Sequence, residues 1–145
     1  MPARPVPTRG LTHIALEVRD PQRSYAFYRR VLGVRAVYQK EDFVQVQTPG
    51  SWDVLVFQRA RLRRRGSGGV MHFGFRLERP QDIATALRAV RAAGGKIREH
   101  GEFCPGEPYV FFSDPDGYEV EIWHELPTPV DPKPARRARP RKGRR

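Results

Sequence analysis

Two stretches of the chain repeat one pattern, Thr12-His13-Ile14-Ala15-Leu16-Glu17-Val18 and Met71-His72-Phe73-Gly74-Phe75-Arg76-Leu77, each with a histidine at its second position. In an extended strand successive side chains point to opposite faces, so His13, Ala15 and Glu17 share one face and Ile14, Leu16 and Val18 the other. The second stretch divides in the same way, with His72, Gly74 and Arg76 opposite Phe73, Phe75 and Leu77. A third strand near the end of the chain places Glu119, Glu121 and Trp123 on one face and Val120, Ile122 and His124 on the other. If the apolar faces are covered by helices, His13, His72 and Glu121 meet on a single concave surface. Two imidazoles and one carboxylate are a facial donor set for a divalent metal, with donor distances of ~2.0–2.2 Å for a zinc-like ion and positions left open for substrate or oxygen.

Other residues on the same faces suit supporting roles. Glu17, Arg76 and Glu119 would orient ligands or bind an anionic substrate, or else form a solvated ion-pair cluster. Trp52, Trp123, Tyr109 and Phe111 would wall a planar substrate, or simply fill the core. His100, read as a loop residue, and His124, on the helix-packed face, are assigned no metal. The single cysteine, Cys104, is read as a bystander thiol.

The elements that must hold these residues can be traced along the chain. Asp20 caps a helix that Pro21 opens and that runs to about Leu32, with Phe27, Tyr28 and Val31 on its buried face and Gly33 as its left-handed stop. Val34 to Tyr38, Phe43 to Gln47 and Asp53 to Gln58 read as strands. The arginine-rich segment 59–70, ending in Gly66-Ser67-Gly68-Gly69, reads as a flexible linker. The second half repeats the first: His72 follows His13 by 59 positions, and Pro80 follows Pro21 by the same number. A helix with Ile83, Leu87 and Val90 inward, strands at Lys96 to Glu99 and Tyr109 to Ser113, a turn at Asp114-Pro115-Asp116-Gly117, and a closing strand from Tyr118 to His124 complete it. Each half is therefore βαβββ, and the fold class expected is α+β, two βαβββ modules forming a cupped mixed sheet.

Length and charge bound the rest. At 145 residues the chain supports one domain, expected over residues 11–126 with modules near 11–58 and 71–124, after an N-terminal arm of residues 1–10. No apolar run approaches a bilayer span and the first ten residues have no signal-peptide core, so no membrane insertion and a cytoplasmic location are expected. One cysteine allows no internal disulfide, in keeping with a reducing compartment. Of the formal net charge of +11, much sits in residues 127–145, where eight Lys or Arg stand against one acid among five prolines. Such a segment cannot bury enough surface to fold by itself and reads as a disordered basic tail, suited to non-specific polyanion contact or to solubility.

The quoted motifs resemble those of the vicinal oxygen chelate superfamily, which includes glyoxalases, extradiol dioxygenases, fosfomycin-inactivating thiol transferases and bleomycin resistance proteins. The likeness rests on Leu11-Thr12-His13-Ile14-Ala15-Leu16, Ser24-Tyr25-Ala26-Phe27-Tyr28 with Leu32-Gly33, Met71-His72-Phe73, and Phe112-Ser113-Asp114-Pro115-Asp116-Gly117-Tyr118-Glu119-Val120-Glu121. It implies a cupped sheet around a metal, with ligands at His13, His72 and Glu121 and an ion such as Fe(II), Mn(II), Zn(II) or Ni(II). It also implies a homodimer acting on a small-molecule substrate. In glyoxalase-like members a fourth ligand stands on the strand before the second module; here that position is Val56, and a shifted register would offer Gln58 instead. Ring-cleaving dioxygenases carry a catalytic tyrosine where this chain has Phe111, and Tyr109, of the same parity, would have to act from two residues away. Arg76, Phe111 and Trp123 are the expected substrate contacts.

Three protein ligands favour, narrowly, a metal-dependent dioxygenase whose ion chelates vicinal oxygens of the substrate. A glyoxalase-like lyase or thiol transferase is the alternative enzyme. A metal-free drug- or metabolite-binding protein of the bleomycin-resistance kind is the alternative outside catalysis, disfavoured because all three donors are retained.

Overall fold

The structure, a computed structural model, describes residues 11, 13–60, 70, 72–127 and 132. The expected N-terminal arm, most of the linker and most of the basic tail lie outside these residues. The first half comprises β1 (Ile14–Val18), α1 (Pro21–Leu32), β2 (Arg35–Lys40), β3 (Phe43–Gln47) and β4 (Leu55–Arg59). The second comprises β5 (Phe73–Arg76), a 3-10 turn (Pro80–Asp82) leading into α2 (Ile83–Ala92), then β6 (Lys96–Glu102), β7 (Pro108–Ser113) and β8 (Glu119–Trp123).

The α+β class and the two βαβββ modules are present, and the cupped sheet is built as two four-stranded sheets ordered β1-β4-β3-β2 and β5-β8-β7-β6. In each, the first strand runs parallel to the last and the remaining pairs are antiparallel. A parallel pair needs a long crossover, which the helix and two strands between them supply. Register shifts at matching places, between Ala36 and Tyr38 and between Ile97 and Glu99, interrupt the outer strand of each sheet, where a bulge increases twist.

Local chemistry explains the first helix well. The Asp20 side chain accepts from the backbone N–H groups of Gln22 and Arg23, Pro21 opens the first turn, and Gly33, at φ 69°, ends the helix by donating its N–H to the Arg29 carbonyl. Arg29 and Arg30 in the last turn complement the helix dipole. The second helix has no side-chain cap. Its entry is a 3-10 turn braced by the Arg79 guanidinium, which donates to both Asp82 carboxylate oxygens at 3.0 and 2.9 Å. His100 is on β6 and not in a loop, because that strand continues to Glu102. Both site histidines stand one residue before their strands rather than inside them.

The apolar faces of the two sheets do not bury separate cores. Leu16, Phe57 and Val44 of the first module and Val110, Phe112 and Ile122 of the second belong to one cluster with both helices. Tyr28 is at its centre, its ring 5.0 Å from Phe57 and 6.4 Å from Phe75. Its hydroxyl donates at 2.8 Å to Asp114, in the turn between β7 and β8. The same turn receives the Arg19 backbone N–H and the Ser24 hydroxyl at Asp116, while the Tyr118 hydroxyl donates to the Glu17 carbonyl. These bonds latch the start of the first module to the far turn of the second. Among the described residues no helix is long and apolar enough to cross a membrane.

Candidate metal centre

On β5 and β8 the register sets Gly74 opposite Glu121 and Phe73 opposite Val120. His72, just before β5, thereby comes to 3.7 Å from Glu121, Nε2 to Oε2, longer than a hydrogen bond. Glu121 is 8 % exposed. Burial pushes its pKa up and the neighbouring imidazole offsets part of that rise. Gly74 makes room for it: a Cβ there would stand 3.2 Å from the Glu121 carbonyl oxygen and 3.4 Å from Oε2. Phe111, opposite Glu121 on β7, meets the His72 ring edge-on at 5.1 Å. An imidazole nitrogen and a carboxylate oxygen that approach without bonding each other, one of them on a desolvated acid, are a donor pair suited to a divalent cation.

His13 does not join them within one chain. It is exposed and borders a cavity of about 580 Å³ on the first module, together with Ala15, Glu17, Gln45, Val56 and Gln58. Among the described residues no three His, Cys, Asp or Glu side chains are grouped so as to hold a metal ion. The physical reason lies in the shared core. The apolar faces of both sheets are buried with both helices in one cluster, and the polar faces bearing His13 and Glu121 border separate cavities.

The two modules match residue for residue. Ala15 pairs with Val56 as Gly74 pairs with Glu121, and Glu17 pairs with Gln58 as Arg76 pairs with Trp123. Val56 is therefore the first-module counterpart of Glu121, and the shifted register that would bring in Gln58 is not adopted. Gln58 instead donates to the Asp42 carbonyl at 3.2 Å.

Of the other expected residues, Arg76 pairs with Glu125, and both border a second cavity, of about 340 Å³, with Gly74, Glu121 and Trp123. Tyr109 lies on the cup face, but its hydroxyl donates to Glu99 at 2.6 Å, and that bond foremost raises its pKa. Glu119 faces Arg98 at 3.9 Å. His124 sets Nδ1 3.2 Å from the Leu77 carbonyl, Trp52 is largely exposed, and Cys104 is an exposed free thiol. The sequence reading missed Phe103. It stands just past the end of β6, and its ring stacks on Tyr109 at 3.9 Å and meets Trp123 edge to face at 5.6 Å. No strand periodicity marks it, because it lies in the loop beyond β6.

The architecture defines a small α+β protein of paired βαβββ modules, each a four-stranded sheet with one helix. The family model for the Glyoxalase/Bleomycin resistance protein/Dioxygenase superfamily matches residues 10–122, and the chain belongs to that superfamily. It is 27% identical over 123 residues to a manganese-dependent 2,3-dihydroxybiphenyl 1,2-dioxygenase of Geobacillus genomosp. 3, covering 83% of this chain and 38% of that enzyme. It is 28% identical over 131 residues to the lactoylglutathione lyase of Haemophilus influenzae, covering 77% of this chain and 90% of the lyase. The chain thus spans well under half of the dioxygenase. A glyoxalase-related enzyme from Fulvimarina pelagi shares the fold, with a TM-score of 0.69 at 21% identity over 81% of this chain and 89% of that one.

Proposed function

We propose that the protein is a divalent-metal-dependent enzyme acting on a small molecule with two neighbouring oxygen atoms, its centre composed of His72 and Glu121 from one copy and His13 from a second. The observation that carries this reading is the unbonded approach of His72 to the desolvated Glu121, with the third donor at the matching position of the other module but on a separate cavity. β1 and β5 are end strands of their sheets, and end strands are where a second copy of a chain adds most readily.

His72 and Glu121 would hold the ion, with Phe111 fixing the imidazole plane and Gly74 leaving the carboxylate its space. When bound, the ion supplies Lewis acidity toward vicinal oxygens, or reactivity toward dioxygen if it is redox-active. Arg76, beside the pair, is placed to orient an anionic substrate group. Three protein donors, with Val56 where a fourth would stand, favour dioxygenase chemistry, and the manganese dependence named for the Geobacillus relative agrees. The Tyr109 hydroxyl is engaged as a donor to Glu99, and we assign it a positioning role.

The test mixes two defective variants. His13→Ala and Glu121→Ala proteins should each fail to bind Mn(II) tightly in calorimetric titration, whereas co-refolded mixtures should regain sites. Each mixed dimer then has one intact centre, formed by His13 of the Glu121→Ala copy and the donor pair of the other. Failure of wild-type protein to bind Mn(II), Fe(II), Zn(II) or Ni(II) would overturn the metal reading, and failure of mixtures alone would overturn the shared centre.

A further inference from the structure

Trp123 is two residues beyond Glu121 on the same face, and its ring borders the cavity that holds Arg76 and Glu121. Its indole N–H is buried and has no hydrogen-bond partner, the one such side-chain atom among the described residues. Buried donors are nearly always paired, so an orphan beside a site calls for a reason. Phe103 supplies the second half of the observation. It is 52 % exposed although it is a large apolar ring, and it lies flat on Tyr109, 3.9 Å away with the planes 11° apart, while standing edge to face with Trp123. It belongs to the loop between β6 and β7, where its backbone N–H is bonded to the Glu107 carbonyl. Its side chain can therefore leave the stack without breaking that bond.

We infer that Phe103 occupies the slot of the substrate's own ring, and that the enzyme takes planar aromatic molecules bearing an oxygen acceptor. When Phe103 swings out, a flat ligand replaces it on Tyr109, and an oxygen substituent of that ligand accepts from the Trp123 N–H. A planar ring can lie face to face on Tyr109 as Phe103 does, and a puckered saturated ring has no flat π-face to match it. The unpaired Trp123 N–H finds its acceptor only in the complex, which favours binding, while displacing the Phe103 ring from Tyr109 into solvent opposes it. This inference rests on the proposed small-molecule site but needs only the second module, and no metal.

The test uses full-length protein carrying Trp52→Phe, so that Trp123 alone fluoresces, with phenol and cyclohexanol as probes and no metal added. Phenol should quench the emission and saturate, and cyclohexanol should not. Phe103→Ala, by emptying the slot, should tighten phenol binding several-fold. Trp123→Phe, which keeps a ring but removes the N–H, should weaken it about fivefold, the worth of one net hydrogen bond, when binding is followed by calorimetry. Equal binding of cyclohexanol, or weaker phenol binding in Phe103→Ala, would overturn the inference. Mn(II) titration of the parent protein reads the metal proposal separately: Mn(II) binding without phenol binding sinks only the slot, and the reverse sinks only the metal.

Discussion

The two modules share one backbone plan and differ in what that plan presents. On the second, the residue opposite Gly74 is Glu121, within reach of His72; on the first, the residue opposite Ala15 is Val56. The charge at the next cup-facing position also reverses, with Glu17 on β1 and Arg76 on β5. The first module thus offers His13 at the rim of a largely apolar cavity, and the second Glu121 in a polar one with His72 beside it. A duplicated unit need not duplicate its chemistry: the register fixes which positions face the cup, and single side chains at those positions divide the work.

The largest effect that tests this division should come from exchanging the paired positions. Glu121→Ala should lower Mn(II) affinity by about a hundredfold or more, whereas Val56→Ala should leave it unchanged and cost about 1 kcal/mol of stability by urea titration. An equal loss of affinity in both variants would erase the distinction between the modules. A smaller effect is expected from the glycine. Gly74→Ala should weaken Mn(II) binding several-fold, because its Cβ crowds the Glu121 carboxylate, while Ala15→Gly on the other module should not change it.

The smallest effect concerns the latch that joins the modules. Burial raises the Asp114 pKa from its ordinary 3.8, even though the Tyr28 hydroxyl and the Asp116 and Tyr118 N–H groups bond its carboxylate and pull the other way. The folded state then holds the Asp114 proton more tightly than the unfolded chain does. Its contribution to stability is fully present below the unfolded pKa and is lost as pH rises through the folded one. The stability advantage of the native protein over Asp114→Asn should therefore grow as pH is lowered from neutrality toward 4, as read from urea unfolding at each pH. A constant difference would mean that Asp114 titrates alike in both states.

Much of this molecule was written locally. Alternating apolar residues in Ile14 to Val18 and Val120 to Ile122 demanded half-buried strands, and Asp20, Pro21 and Gly33 marked both ends of the first helix by capping chemistry that needs no distant partner. The offset shared by His13 and His72, and by Pro21 and Pro80, announced the duplication, and parity alone assigned His72, Gly74, Arg76, Glu121 and Trp123 to one face. What the sequence could not decide was which sheet faces meet. Both modules present an apolar face, and nothing local says that the two faces should be buried in one core around Tyr28, which leaves His13 on a different cavity from Glu121. The pairing of Val56 with Ala15, the Asp116 bonds to Arg19 and Ser24, and the Phe103 stack on Tyr109 likewise join residues distant in sequence or beyond a misread strand end. They follow from how the chain packs, because register and interlayer contacts are settled by the summed burial of many side chains rather than by any one segment's preference.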